Sequence, residues 1–360
     1  MYFMIMVSIL LYVFVYRHNT YNNCLKKTYK EEQDFNNGKN KISVIIPAKN
    51  EELNIGRLLN SINSKYIDEI IVVNDMSTDN TVEEVKKFPS VKLIEIKDKP
   101  KGCVGKNYAL CKGVKEARND HFLFLDADTY ITNSEKFDKV IEKYFKEDKV
   151  FTVLPYHRTK EFYEKLSAIF GICISFCFTK VPYNTSLFGA CILISKDNYY
   201  SIGGHEAIKD VVVDDVALGR MLKSKGIETF RILGKDFMNI RMYNNIYGLW
   251  EGWSKNVGSG IRFNGVLSTI TVGTFVGSMF YFLVVSILKI KFNLKLGIYL
   301  YLFGTLMFYL FSKNIINVHI IDTIILFPCN LIFFTLVLLN SNYLTYIKKK
   351  VTWKGVEIDL

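Results

Sequence analysis

The segment FLFLDADTYI, residues 122–131, passes from an apolar stretch directly into two acidic residues, Asp126 and Asp128. A carboxylate at the end of a buried strand is costly unless a partner offsets its lost hydration. The segment therefore predicts a buried β-strand at 122–125 whose carboxyl end carries acids that face a metal ion, a bound ligand or the water at a turn.

Three other apolar, β-branched segments lie upstream, separated by helical patterns. Strands are expected at 42–48, 69–74 and 92–97, with helices after residue 50, after residue 80 and at 105–117. Asn50 is expected to cap the first helix, with Glu51 and Glu52 in its first turn, where the helix dipole favours acids. This alternation indicates an α/β fold with a mostly parallel sheet covered on both faces.

Four polar segments follow these strands, at the edge where such sheets bind ligands. They are 47–51, 75–81, 99–106 and 126–128. Each has an ordinary explanation: Asp75, Ser77 and Asp79, for instance, could be turn and cap residues that bond their own backbone. Because all four segments would meet at one edge, together they favour a shared ligand site.

The third and fourth segments suggest anion and cation chemistry. Lys106 follows two glycines, but Pro100 and Asn107 do not fit a Walker phosphate loop. The loop could still hold anionic oxygens through its N–H groups, because it opens a helix. Asp126 and Asp128 could be a solvated loop or ligands of Mg²⁺ or Mn²⁺ bridging a diphosphate.

Apolar segments flank this region. The chain of 360 residues carries a formal charge of +11, and uncharged or nearly uncharged stretches lie at 2–16, 265–288, 296–311 and 318–339. A span needs about 20 apolar residues, so the second and fourth qualify and the others are marginal. We therefore expect the following organisation: an N-terminal membrane anchor (1–18), a linker (19–40), a soluble domain (41–264), C-terminal transmembrane helices (265–345) and a basic tail (346–360).

Charge and cysteine content indicate where the soluble domain lies. Basic residues from Arg17 to Lys30 follow the anchor, and the seven cysteines include no C-x-x-C pair. The basic flank predicts a cytoplasmic domain, and a reducing compartment agrees with it. The number of C-terminal crossings stays open. Residues 166–178 are apolar but too short to span a bilayer, so they form either a buried or an interfacial helix.

Three motifs carry a family resemblance. ISVIIPAKNEE (42–52), VVNDMSTDNT (72–81) and LFLDADT (123–129) resemble the family 2 glycosyltransferases, which have a GT-A fold. Residues 188–206 and 212–226 resemble the acceptor half of these enzymes.

The resemblance implies a nucleotide-sugar donor, with a UDP-sugar expected, and a divalent ion, Mg²⁺ or Mn²⁺. It places the base against Asp75 and the segment 47–51, the ribose against Asp126, and the metal on Asp128. The donor-binding residues it implies are Pro47, Ala48, Asn50, Glu51, Asp75, Lys106 and Asp126.

Asp214 and Asp215 stand where the family has Glu-Asp-x-x-Leu, with Leu218 completing the pattern. Inverting transfer needs a carboxylate that removes the acceptor's proton. The register makes Asp215 the base and Asp214 its neighbour. The two could exchange roles, because close carboxylates titrate as a pair. Helix capping is the alternative for both.

Three more residues are candidates for the acceptor or diphosphate side: His205, Trp253 and Lys255. His205 could equally be a core or capping histidine. Trp253 and Lys255 stand where the family often has a Gln/Arg-x-x-Arg-Trp motif, but here the Trp is present without the preceding Arg. An amphipathic helix at the membrane surface would explain Trp253 almost as well.

The expected function is that of a membrane-bound inverting glycosyltransferase in the cell membrane, multi-pass, with no nucleic-acid partner. A narrower resemblance to bacterial glycosyltransferases of carotenoid synthesis suggests glucose from UDP-glucose as donor and a lipid or carotenoid acid as acceptor. The alternatives are a non-catalytic nucleotide-sugar-binding membrane scaffold and a polysaccharide synthase of the same family.

Overall fold

The computed structural model describes residues 40–100, 102–147, 149–177, 187–263 and 266–359. The expected anchor at 1–18 and the linker up to residue 39 lie outside the described residues. The described chain divides into two compact units. We call residues 40–156, 187–242 and 348–359 the sheet unit, and residues 157–177 and 243–347 the helical unit. The expected soluble domain, 41–264, thus contributes to both units.

A seven-stranded sheet is the centre of the sheet unit, in the order β3-β2-β1-β4-β8-β6-β9. Its strands are β1 (Ile42–Ala48), β2 (Ile67–Asn74), β3 (Val91–Glu95), β4 (His121–Leu125), β6 (Val150–Leu154), β8 (Cys191–Ser195) and β9 (Thr229–Leu233). β1 pairs in parallel with β2 and β4, and β8 is antiparallel to β4. The predicted α/β class with a mostly parallel sheet is confirmed.

Shorter strands lie outside the seven-stranded sheet. They are β5 (Thr129–Ile131), β7 (Tyr156–His157), β10 (Met238–Ile240), β11 (Lys350–Trp353) and β12 (Val356–Asp359). β5 pairs antiparallel with β10, and β11 with β12. The expected basic tail therefore contains an ordered hairpin.

Helices cover the sheet because each has an apolar face that packs against the buried side chains of the strands. They are α1 (Ile55–Ser61), α2 (Thr81–Lys86), α3 (Gly105–Lys115), α4 (Ser134–Lys146), α6 (Lys196–Ser201) and α7 (Asp214–Ser224). Leu110 of α3 and Leu218 of α7 join Ile45, Phe122 and Phe124 of the central strands in one buried cluster. Burial of β1 on both faces accounts for its apolar sequence, which Ser43 alone interrupts.

The first helix departs from the prediction. α1 begins at Ile55, and Asn50 has a positive φ of 52° instead of capping it. Asn50 uses its side-chain oxygen to accept a hydrogen bond from the amide of Thr78, 2.8 Å away. The cap prediction was wrong because this long-range partner, on the next strand's loop, replaces the local one.

The helical unit contains α5 (Ala168–Cys177), α8 (Ile246–Phe263), α9 (Val266–Phe292), α10 (Leu294–Ser312) and α11 (Ile320–Asn342). Among the described residues, three segments are long and apolar enough to cross a membrane: Thr269–Phe292, Leu294–Ser312 and Ile320–Lys348. In α5, Ile169, Phe170 and Ile172 are buried, as the buried-helix alternative for this segment expected.

Candidate active site

Hydrogen bonds tie the loop after β1 to the loop after β2. The amide of Asn50 donates to Oγ of Ser77 at 3.0 Å, and the amide of Glu51 donates to Oγ1 of Thr81 at 2.7 Å. Together with the Asn50–Thr78 bond, these contacts make the two strand-end loops one rigid rim. The hydroxyls of Ser77 and Thr81 therefore hold the two loops together.

Asp79 belongs to the same rim. Its carboxylate accepts the amides of Glu52 and Thr81, at 3.1 and 3.0 Å. Burial would raise the pKa of Asp79, but the hydrogen bonds from Thr81 and Glu52 outweigh it and lower the pKa below its usual value. For Asp79, the turn-and-cap explanation of the DxSxDxT pattern is the one the contacts support.

Asp75, by contrast, is buried and faces two lysines. Its amide donates to the carbonyl of Ala48, the last residue of β1, at 2.8 Å. Nζ of Lys99 lies 3.4 Å and Nζ of Lys49 3.9 Å from its carboxylate oxygens. A Cβ on Gly105 would lie 1.8 Å from Oδ2 of Asp75, so only glycine allows α3 to begin beside this carboxylate.

Pro47 and Ala48 form the end of β1 beneath this rim. Ala48 is buried and pairs in register with Asn74, the last residue of β2. Pro47 is half-buried at the same strand end. The predicted donor-binding residues of the segments 47–51 and 75–81 therefore lie together at the carboxyl edge of β1 and β2, as the strand-end rule requires.

Lys106 forms ion pairs with an acid expected on the donor side, Asp126, and with an acid expected beside the base, Asp214. Its Nζ lies 2.9 Å from Oδ1 of Asp126 and 3.4 Å from Oδ2 of Asp214. Burial alone would lower the pKa of Lys106, but the charges of Asp126 and Asp214 outweigh it and raise the pKa, so the ammonium stays charged. The ion pairs bring the end of β4, the start of α3 and the start of α7 to one point.

Asp215 lies beside this cluster at the N-terminus of α7. Its carboxylate accepts the amide of Gly189 at 3.1 Å and its neighbour Val216 at 2.8 Å. Burial and the charge of Asp214 raise the pKa of Asp215 to about 6, although Lys106 opposes the rise. A carboxylate with a pKa this close to neutrality is suited to accept and release a proton.

Asp128 is an acid with one unsatisfied oxygen. Its Oδ1 is buried and finds no hydrogen-bond partner among the described residues. Burial, followed by the charges of Glu51 and Asp126, raises the pKa of Asp128 well above its usual value. Asp126 and Glu51 are paired with Lys106 and Lys354, so Asp128 is the acid of this group that a further cation would satisfy.

The fit to a divalent cation rests on that orphaned oxygen. Among the described residues, no group of three or more His, Cys, Asp or Glu side chains is arranged to hold a metal by itself. Mg²⁺ commonly binds through one or two carboxylates and completes its shell with substrate phosphates and water. Asp128, with Asp126 near it, offers the donor set for such a shared site.

His205 lies in the hydrophobic core. It is 1% exposed, and its ring meets Phe124 edge-on at a centroid distance of 5.0 Å. Its Nδ1 is 3.1 Å from the hydroxyl of Tyr199, which also accepts the His205 amide. Burial lowers its pKa to about 4. This placement favours the core-histidine alternative over a substrate-side role.

Trp253 and Lys255 belong to α8 of the helical unit. The Trp253 ring stacks on Phe170 at 4.5 Å, and its Nε1 donates to Oγ of Ser167 at 3.1 Å. It is 3% exposed, so Trp253 packs inside its unit. Lys255, two residues further along α8, is half-buried. Their assignment to the acceptor or diphosphate side stays a prediction.

Four residues of the site were missed from the sequence. Lys49 and Lys99 lie inside the strand-end segments, which carried the signal for them. Gly189 lies in the segment 188–206, but the hydrogen bond from its amide to Asp215 depends on how two distant segments meet. Lys354 has no strand-end signal, and it donates to Glu51 from 303 residues away.

Comparison with known proteins agrees with this site. Residues 43–199 match the family model described as glycosyl transferase family 2. The chain carries a family 2 glycosyltransferase domain. This family 2 domain contains the rim, Asp75, Lys106, Asp126 and Asp128, and the predicted family and GT-A fold class are confirmed.

The 4,4'-diaponeurosporenoate glycosyltransferase of Staphylococcus aureus (strain USA300) is 32% identical to this chain over 229 residues. The alignment covers 61% of each protein, so the chain spans less than two thirds of that relative's length. The same enzyme from strain MRSA252 shows the same identity and coverage.

Two solved structures resemble the chain at low similarity. A mannosyltransferase from Pyrobaculum calidifontis, in complex with GDP-Man and Mn²⁺, is 14% identical, with a TM-score of 0.49 over 95% of this chain and 99% of its own. Glucosyl-3-phosphoglycerate synthase from Mycobacterium tuberculosis, in complex with Mn²⁺, UDP and glucosyl-3-phosphoglycerate, is 15% identical, with a TM-score of 0.43 over 65% and 86%.

Proposed function

We propose that this protein is a membrane-bound inverting glycosyltransferase that moves a sugar from a nucleotide sugar to a lipid-like acceptor. The observation that carries the proposal is the Lys106 ammonium between Asp126 and Asp214, 2.9 and 3.4 Å away, with Asp215 next to them. It joins the acids expected on the donor side to those expected on the acceptor side.

On the donor side, the rim formed by residues 47–51 and 75–81 would hold the nucleoside. Asp75 supports this assignment because it is buried yet turned toward Lys49 and Lys99. Its carboxylate can accept hydrogen bonds from a base or ribose. Asp126 and Lys106 would then lie next to the ribose and diphosphate, since they occupy the adjoining strand end.

For the metal, we propose that Asp128 holds Mg²⁺ or Mn²⁺ with Asp126 near it. The buried, unpartnered Oδ1 of Asp128 is the supporting observation. The ion would neutralise the charge that develops on the leaving diphosphate. The residues of the chain orient that diphosphate, and Lys106 adds a fixed positive charge beside it.

Asp215 is proposed as the base. Its pKa of about 6 leaves it ionised at neutral pH and able to take the acceptor's proton. The amides of Gly189 and Val216 hold its carboxylate in place. Asp214 is engaged by Lys106, which leaves it the supporting role.

We propose that the acceptor is lipid-like, a carotenoid acid such as 4,4'-diaponeurosporenoate, with UDP-glucose as the donor. Among the described residues, three apolar helices of membrane-crossing length support a membrane-presented acceptor. The name of the Staphylococcus aureus relative supports the carotenoid acid. We further propose that the protein lies in the cell membrane with residues 41–264 in the cytoplasm, where nucleotide sugars are made.

Membranes that contain the parent protein should transfer label from UDP-[¹⁴C]glucose to added 4,4'-diaponeurosporenoate, and membranes with Asp215→Asn should not. Matched assays with other labelled nucleotide sugars and with total lipid extract identify the donor and acceptor. Binding of a nucleotide sugar without transfer to any lipid would contradict the enzyme and support the non-catalytic scaffold. Chain elongation would support the polysaccharide synthase.

A further inference from the structure

The C-terminal hairpin reaches the donor rim through Lys354. Nζ of Lys354 lies 2.5 Å from the carbonyl oxygen of Lys49 and 2.5 Å from Oε1 of Glu51, with the carbonyl of Asn50 at 3.4 Å. The side chains of Lys354 and Glu51 are 23% and 13% exposed. The ammonium of Lys354 is therefore held in place by two carbonyl oxygens and one carboxylate oxygen.

The backbone at the hairpin tip supports a specific task for this lysine. Lys354 and Gly355 form a two-residue loop between Trp353 and Val356, with φ of 47° and 77°. Such loops need positive φ at both positions and favour Asn-Gly. Lysine is disfavoured there, since a side chain crowds the backbone in the left-handed region. A strained residue whose side chain makes long-range polar contacts suggests a function.

The contacts of Lys354 fix both the backbone and the side chain of the loop that bears Glu51. Oε1 of Glu51 accepts from Lys354, and Oε2 accepts from Nδ2 of Asn54 at 2.8 Å. Lys354 therefore places a positive charge beside Glu51 and holds the backbone of residues 49 and 50 through their carbonyls.

We propose that the C-terminal hairpin is part of the donor site and that Lys354 is a positioning residue for the nucleoside diphosphate. Its ammonium holds the loop from Lys49 to Glu51 in the shape that receives the nucleotide and neutralises Glu51 before the anionic diphosphate arrives. The inference rests on the proposed function, because it assumes a nucleotide-sugar donor.

Lys354→Asn is the decisive variant. Asparagine tolerates positive φ better than lysine, so the hairpin keeps or improves its local stability while the ammonium is lost. The control is Lys348→Met, which removes a positive charge from the base of the hairpin, where Lys348 lies 3.9 Å from the exposed Glu357. Lys354→Arg keeps the charge and should restore most of the binding.

The measurement is UDP binding to the full-length protein in detergent with Mn²⁺, by isothermal titration calorimetry. Loss of a charge-assisted contact should weaken UDP binding about 10- to 100-fold in Lys354→Asn. Lys348→Met should bind as the parent does. Equal binding by Lys354→Asn and the parent would overturn this inference alone, whereas a parent that binds no UDP would overturn the proposed donor and this inference together.

Hydrogen exchange without nucleotide separates positioning from general damage. The amides of residues 50–52 should exchange faster in Lys354→Asn than in the parent, while the amides of β1 and β4 stay protected. Unchanged exchange at 50–52 would refute the positioning role. In a double-mutant cycle for UDP binding, Glu51→Gln combined with Lys354→Asn should cost less than the sum of the two single changes; additivity would show that Lys354 does not act through Glu51.

Discussion

The amide of Gly189 donates to Oδ2 of Asp215 across 3.1 Å, and a Cβ on Gly189 would lie only 3.3 Å from Cβ of Asp215 and 3.1 Å from Nζ of Lys106. One glycine therefore both orients the proposed base and leaves room for the cation of the cluster. A larger residue at this position would press against both groups.

Gly189→Ala should lower kcat about tenfold or more, because small displacements of catalytic groups are costly. The fold should persist, since Lys106 and Asp215 need to shift by only a few tenths of an ångström. The control is Gly273→Ala on α9, where a Cβ meets nothing within 4 Å. Initial rates of both variants decide the matter, and a fully active Gly189→Ala would contradict the close-approach argument.

Asp215→Asn should reduce transfer by a factor on the order of 10²–10⁴ while UDP binding stays near that of the parent. Asp214→Asn should cost less, because Asp214 pairs with Lys106 and does not take the proton. Rates at saturating donor and fixed lipid acceptor test the order. A larger loss for Asp214→Asn would exchange the two roles, and no loss in either would move the base elsewhere.

The pH dependence follows from the raised pKa of Asp215. The base must be ionised to act, and below about pH 6 it is mostly protonated, so kcat/KM should fall as pH decreases through about 6. Because Lys106 holds the pKa of Asp215 down, Lys106→Met should move this acidic limb to higher pH. Profiles of the two proteins with identical midpoints would show that Lys106 does not act on the base.

Asp128→Asn should abolish donor turnover, and excess chelator should silence the parent, since the proposed ion neutralises the leaving diphosphate. Added Mg²⁺ or Mn²⁺ should restore the chelated parent but not the variant. Asp120→Asn is the control, because Asp120 is 82% exposed at the opposite end of β4. Full activity in chelator would exclude the metal.

Lys87→Cys should label poorly in intact cells with a membrane-impermeant thiol reagent and well after lysis. Lys87 is suited to this test because its side chain is 62% exposed at the end of α2. The expectation follows from the proposed cytoplasmic location of residues 41–264, for which the basic flank from Arg17 to Lys30 is the warrant. Efficient labelling of intact cells would overturn both the orientation and the cytosolic source of the donor.

Local patterns predicted the sheet well. The strands at 42–48 and 122–125 were expected from apolar runs, and β1 and β4 lie at Ile42–Ala48 and His121–Leu125. The rule that ligands bind at the carboxyl ends of parallel strands predicted that Asp75, Asp126 and Asp128 share one edge of the sheet. Asn50 was expected to cap a helix and does not, because its partner is Thr78 on another loop. A cap is a local inference, and a long-range bond overrode it.

The sequence by itself determined the α/β class, the family and the acids of the site, because strand periodicity and strand-end motifs are local properties of the chain. The tertiary structure decided which groups share contacts: that His205 packs on Phe124, that Gly189 orients Asp215, and that Lys354 reaches Glu51. Each of these depends on segments brought together by packing of the whole core, and no spacing along the chain encodes such a meeting.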